Sequence, residues 1–146
     1  MDGTYVNHNF FHLPDVNPAE LSPAVWAYIG DAVYELFIRN LLVSRGPAKT
    51  GRLHQEAVQK VKASFQAQLL DKIEPLLDEG ELDIVKRGRN TKTGHVPSGS
   101  DVLTYRHSTA FEALLGFLYL SGKLDRIVAL LEQALNEDGG DMHVEG

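Results

Sequence analysis

SPAVWAYIGDAVYELF, residues 22–37, is the stretch on which the fold turns. Serine followed by proline is a helix start, because the hydroxyl can cap and the first helical position needs no backbone N–H. Asn17-Pro18 offers the same signature five residues earlier. Beyond it Ser22, Val25, Trp26, Ile29, Val33, Leu36 and Phe37 recur at helical spacing, an amphipathic stripe. Gly46-Pro47 closes the segment. Asp31 is the only charge in AVWAYIGDAVY, residues 24–34. At about 100° per residue it points away from that stripe, among Ala24, Ala27, Tyr28, Tyr34, Glu35 and Ile38. The helix therefore reads as packed on two sides, with Asp31 aimed into a second contact or a cleft. Gly30 beside it costs about 1 kcal/mol of helix propensity against alanine. Close approach of another helix backbone would account for it.

A second apolar run, AFEALLGFLYL at residues 110–120, likewise carries one charge, Glu112. Its helical neighbours are Tyr105, Ser108, Thr109, Leu115, Gly116 and Tyr119, a stripe of small and hydroxyl-bearing groups in a greasy helix. The spacing predicts this helix over about Val102 to Ser121, ending at Gly122, and a last one over Leu124 to Asn136. One continuous helix is expected from Thr50 to Asp71, and one or two short ones from Ile73 to Val85 around Pro75. The longest loop is expected from Gly88 to Ser100, with three glycines and a proline. No strand alternation or internal repeat stands out. The fold class is all-α.

The chain has 146 residues, enough for one domain. Residues 1–14 read as an arm carrying Tyr5, Phe10 and Phe11, residues 15–136 as the folded unit, and residues 137–146 as an acidic disordered tail. The sequence contains no cysteine, which excludes disulfides and thiolate metal sites. The N-terminus shows no signal-peptide pattern, and no apolar run nears the roughly 20 residues that span a bilayer. A soluble cytoplasmic protein is the expectation. The net charge is −6, yet it is unevenly spread. Between Arg39 and Lys62 six bases face one acid, Glu56, and Lys86-Arg87-Gly88-Arg89-Asn90-Thr91-Lys92 has four bases and no acid. Six acids lie between Asp71 and Asp83 and five between Glu132 and Glu145. Such segregation can set one positive face on an acidic protein, or two solvated surfaces with no partner.

Isolated ionised carboxylates are not buried without compensation. A divalent cation would compensate Asp31 and Glu112, and hydroxyls beside small residues suit a hydrated Mg2+. A buried pairing of Glu112 with Arg106, Arg126 or a tyrosine hydroxyl would satisfy it as well. His8, His12, His54, His95, His107 and His143 have no metal-ligand spacing. There is no Walker-type glycine loop and no G-x-S-x-G. Glu35 and Arg39 form an i,i+4 pair and nothing more.

Tyr28-Ile29-Gly30-Asp31-Ala32-Val33-Tyr34 resembles the core of the ribonuclease III signature, E-x-x-E-F-L-G-D-A/S-V-L. Ala110-Phe111-Glu112-Ala113-Leu114-Leu115-Gly116-Phe117-Leu118-Tyr119-Leu120 resembles the second acidic motif of that family, D-x-F-E-A-L-x-G-A-x-Y. Trp26-Ala27, Leu53-His54, Lys86-Arg87-Gly88-Arg89-Asn90, Tyr105-Arg106 and Ser108-Thr109 further resemble its bacterial Mini-III subfamily. That subfamily consists of the catalytic domain without a double-stranded-RNA-binding domain, and the likeness spans roughly residues 15 to 136. Ala24, Ala27 and Thr109 stand where the wider family has acids, and of the four carboxylates usual at that family's metal site only Asp31 and Glu112 remain. Two carboxylates suffice for one Mg2+ completed by substrate phosphate and are thin for two dications.

The resemblance implies the ribonuclease III helical bundle and an endoribonuclease that cuts double-stranded RNA to 5′-phosphate and 3′-hydroxyl ends. Asp31 and Glu112 would be the catalytic and metal-binding residues, with Mg2+, or Mn2+ in its place. Tyr28, Tyr105, Ser108 and Thr109 would support them. Lys86, Arg87, Arg89, Asn90 and Lys92 would grip the duplex, with Lys49, Arg52, Lys60 and Lys62 as a second set. The family works as a homodimer with the signature helix at the interface, which would also account for Gly30. The subfamily's substrate is precursor 23S ribosomal RNA, with a ribosomal protein as a helper. The resemblance makes the missing carboxylates a lineage difference of the subfamily. They are also what an inactive RNA-binding or ribosome-associated relative would show, the alternative reading, and the helices alone suit a small interaction module.

Overall fold

The computed structural model describes residues 15–91 and 101–136, which form six α-helices, two single-turn 3-10 helices and no β-strand. The helices are α1 (Pro23–Ser44), α2 (Thr50–Lys60), α3 (Ala63–Ile73), α4 (Glu79–Asn90), α5 (Val102–Leu120) and α6 (Leu124–Asn136). The expected arm, the acidic tail and Lys92 with the loop after it lie outside the described residues.

Local chemistry sets most boundaries. Both proline starts are used: Asn17 caps the turn Pro18–Glu20, and Ser22 accepts the Val25 N–H at the head of α1. Asp78 and Glu81 form a reciprocal capping box on α4, and Asp101 accepts the Thr104 N–H at 2.9 Å on α5. Gly46 and Gly122, just beyond α1 and α5, take the positive φ angles that favour glycine.

Helix α5 is the axis of the bundle, with Ala110, Phe111, Ala113, Leu114, Leu115 and Leu118 all buried. Helices α1, α4 and α3 pack around it, and α6 contacts both α3 and α5. The buried row of α1 is Trp26, Gly30, Tyr34, Ile38 and Leu42, which shares only Trp26 with the stripe expected from the large apolar residues. Val25 and Leu36 of that stripe are 41% and 50% exposed. The stripe counted side-chain size, whereas the closest packing against α5 takes a glycine at its centre. A Cβ on Gly30 would run into the Glu112 carbonyl, and a Cβ on Gly116 into the Trp26 carbonyl. The expected backbone approach to Gly30 is therefore present, and it lies within the chain. Around this crossing Trp26 and Tyr34 set ring edges against Phe117 and Phe111, with centroids 5.2 and 5.3 Å apart. The Trp26 indole N–H donates to the Pro18 carbonyl at 2.8 Å.

Two boundaries depart from expectation. The helix expected over 50–71 breaks between Lys60 and Ala63, with Lys62 extended at φ −63°, ψ 149°. No glycine or proline lies at the break; its carbonyls find tertiary partners instead. The Tyr34 hydroxyl donates to the Lys60 carbonyl at 2.7 Å, and Gln66 Nε2 donates to the Val61 carbonyl at 2.9 Å. Helix α4 also continues to Asn90, so Gly88, expected in a loop, is helical and buried against Ala110 and Ala113. Arg126 then ties α6 to α4, donating to both Glu81 carboxylate oxygens at 2.8 and 2.7 Å.

Candidate active site

The Gly30–Gly116 crossing does more than close the bundle. Glu112 supplies the carbonyl against Gly30, and Asp31 is the next residue along α1, so the crossing sets the two carboxyl groups side by side. A cleft of about 620 Å³ opens beside them, lined also by Lys62, Gln66, Asp101 and Ser108. A smaller one of about 200 Å³ adjoins the pair through Tyr28, Thr91, Tyr105 and Thr109. The four supporting residues expected from the sequence thus all surround Asp31 and Glu112. Their hydroxyls are not all free, however. Ser108 and Thr109 both donate to the Tyr105 carbonyl, at 2.8 and 3.0 Å, and keep their oxygens only as acceptors.

The two carboxyls differ in environment. Asp31 is exposed, contrary to its central place in an apolar run, because α1 turns that side outward. Glu112 is set into the α5 wall. Burial pushes its pKa up, the Asp31 charge and a hydrogen bond with Asp31 add to the rise, and hydrogen bonding from Gln66 opposes it. The result is about 8, so near neutrality Glu112 favours its protonated form. No protein cation is among the groups that set this value, and Arg126, one expected partner, is engaged by Glu81.

No protein cation is set against the two adjacent carboxyls, and the hydroxyl, carboxyl and amide oxygens that line the clefts beside them are hard donors. That set suits a hard divalent cation of the Mg2+ or Mn2+ kind. Among the described residues no group of three or more His, Cys, Asp or Glu side chains is arranged to hold a metal. The pair fits a cation that keeps much of its water, as Mg2+ does.

Gln66 is the residue that sequence reasoning missed. It is only 3% exposed, yet one continuous helix from Thr50 to Asp71, with Leu53, Ala57, Val61, Phe65, Gln68 and Leu69 on one side, leaves it off that side. The same break moves Lys62 from the second rank of basic residues into the wall of the larger cleft. Nothing local in the sequence signals either, since both depend on where α2 stops. Asp101, in the same wall, is legible only as a cap of α5. Lys86, Arg87, Arg89 and Asn90 lie on the last turns of α4 and line neither cleft, and Arg87 pairs with Asp83 at 3.1 Å. Thr91, which follows them, does reach the carboxylate pair.

Comparison with known proteins agrees with this geometry. The ribonuclease III domain family matches residues 24–123, from the start of α1 to just past α5. The Mini-ribonuclease 3 of Brevibacillus brevis is 46% identical over 118 residues, covering 81% of this chain and 88% of that protein. That of a Thermoanaerobacter species is 50% identical over 112 residues, covering 77% and 79%. A solved structure from Fusobacterium nucleatum superposes with a TM-score of 0.75 at 30% identity, covering 86% of this chain and 94% of that one. With both acidic motifs inside the matched span, the chain belongs to the ribonuclease III domain family, next to the Mini-ribonuclease 3 proteins, and is an endoribonuclease of that type.

Proposed function

We propose that this endoribonuclease cleaves double-stranded RNA with the help of a divalent cation, leaving 5′-phosphate and 3′-hydroxyl ends. The observation that carries the reading is the adjacent carboxyl pair Asp31 and Glu112, brought into one cleft at the Gly30–Gly116 crossing. Asp31 at the rim and Glu112 in the wall would hold Mg2+, or Mn2+ in its place. When bound, such a cation lowers the pKa of water and offsets charge on the leaving oxygen of a phosphodiester. Glu112 must give up its proton for this, so cation and proton compete for one carboxylate. Lys62, in the wall of the cleft, is placed to take a substrate phosphate beside them. Lys86, Arg87, Arg89 and Asn90, with Lys92 beyond them, extend the basic track along α4, suited to duplex RNA, whose phosphates and 2′-hydroxyls are what proteins chiefly contact.

The active form is a homodimer. Tyr28 and Leu36, with Val43 further along α1, leave an apolar row exposed, at 78%, 50% and 62%. A second copy covering that row would bring two sites to one duplex. The substrate we assign is precursor 23S ribosomal RNA, with a ribosomal protein as assistant, which places the enzyme in the cytoplasm. Among the described residues no helix is long and apolar enough to cross a membrane.

The test is cleavage of a long RNA duplex with and without Mg2+, using Asp31→Asn and Glu112→Gln. Losing several kcal/mol of transition-state stabilisation lowers the rate at least about a hundredfold. Each variant should therefore stop cutting while its dimerisation, followed by sedimentation, persists. Full activity in either variant would remove the assignment.

A further inference from the structure

We propose that Gln66 is a positioning residue for the cation site, its amide oxygen accepting a hydrogen bond from the hydration shell of a divalent cation held by Asp31 and Glu112. The inference rests on the cation reading of that pair. Gln66 is 3% exposed and lines the same cleft as both carboxylates. Its Nε2 donates to the Val61 carbonyl at 2.9 Å. A carbonyl accepts, so the amide nitrogen is turned toward Val61 and Oε1 is left to the other side of the amide. Among the described residues, Oε1 is the one buried side-chain nitrogen or oxygen without a hydrogen-bond partner.

Buried polar atoms are rarely left so, because an orphaned acceptor costs about 1–3 kcal/mol. What Oε1 needs is a donor. Two of the hydroxyls along this cleft are engaged: Ser108 donates to the Tyr105 carbonyl and Thr104 to the Asp101 carboxylate. A hydrated dication beside Asp31 and Glu112 supplies strongly polarised water hydrogens, the matching chemistry. The amide also suits the place better than a third carboxylate would in the cation's absence. It can accept from the cation's water without adding negative charge beside the two carboxyls.

The experiment is Mn2+ binding to the RNA-free protein, read by electron paramagnetic resonance, for the wild type, Gln66→Leu and Gln66→Glu. Asp31→Asn and Glu112→Gln serve as site controls. Outer-sphere partners typically contribute about 10–100-fold in metal affinity, so Gln66→Leu should lose at least about tenfold. Gln66→Glu keeps the oxygen but not the N–H, and should bind Mn2+ at least as tightly as the wild type. Equal losses in both variants would mean that only the bond to Val61 mattered, and the oxygen's role would fall. Wild-type affinity in Gln66→Leu, with binding lost in Asp31→Asn, would overturn this inference and leave the site standing. Undiminished binding in both controls would overturn the site itself. Should Gln66→Leu not fold, the side-chain amide resonance of wild-type Gln66 decides instead. It should shift on Mg2+ addition and stay fixed in Asp31→Asn; a fixed resonance in the wild type would count against the role.

Discussion

At the scale of single residues, Glu112 carries a consequence for stability. Its folded pKa is raised to about 8 from the ordinary glutamate value of 4.5. The folded chain therefore binds more protons than the unfolded chain between those values, and stability falls as pH rises through that window. Protein freed of divalent ions should show a lower melting temperature at pH 8 than at pH 5.5. Added Mg2+ should recover part of the loss, because it replaces the proton. Glu112→Gln should flatten the contribution and melt above the wild type at pH 8 without metal. A calorimetric series in chelator, followed by Mg2+, checks all three; a wild-type profile that rises to pH 8 would contradict them. Asp31 and Glu112 were both legible as lone charges in apolar runs. That one is exposed and the other set into the α5 wall was not, because burial is a property of the face each helix turns inward.

At the scale of elements, the α1–α5 crossing is the feature on which site and fold both depend. Gly30 and Gly116 let two backbones touch, and a methyl on either would strike a carbonyl of the facing helix. Overpacking a core usually costs about 1–3 kcal/mol. Contact with backbone, which cannot rotate away, puts Gly30→Ala and Gly116→Ala at or above the top of that range. Denaturant unfolding should register the loss, and cleavage should fall further than stability, since Asp31 and Glu112 move apart when the helices do. A Gly30→Ala protein with wild-type stability would refute the backbone contact. Helix ends capped by neighbours in sequence, such as Ser22, Asp78 and Asp101, were readable in advance. The break between α2 and α3 was not. Its exposed carbonyls are answered by Tyr34 and by Gln66, whose positions depend on how α1 and α3 pack.

At the scale of the whole molecule, a net charge of −6 coexists with a basic edge on α4. Each lost phosphate contact should reduce the slope of log affinity against log salt by about 1. Arg87→Ala and Arg89→Ala should each weaken duplex RNA binding and flatten that slope, as a filter-binding series at several salt concentrations would show; unchanged slopes would move the track elsewhere. The exposed row on α1 makes a second prediction. Leu36→Asp should yield a monomer by sedimentation and lose double-strand cleavage, whereas a dimeric Leu36→Asp would place the interface on another face. What the sequence by itself determined were the helices with local caps, the all-α class, and the two acidic motifs with their glycines. Periodicity and capping act over three or four residues, within reach of a reading along the chain. Only the tertiary structure decided which row of α1 is buried, where α2 stops, and that Gln66 and Lys62 enter the cleft. Those outcomes depend on backbone contact between helices some eighty residues apart and on carbonyls satisfied across the bundle, which no local pattern records.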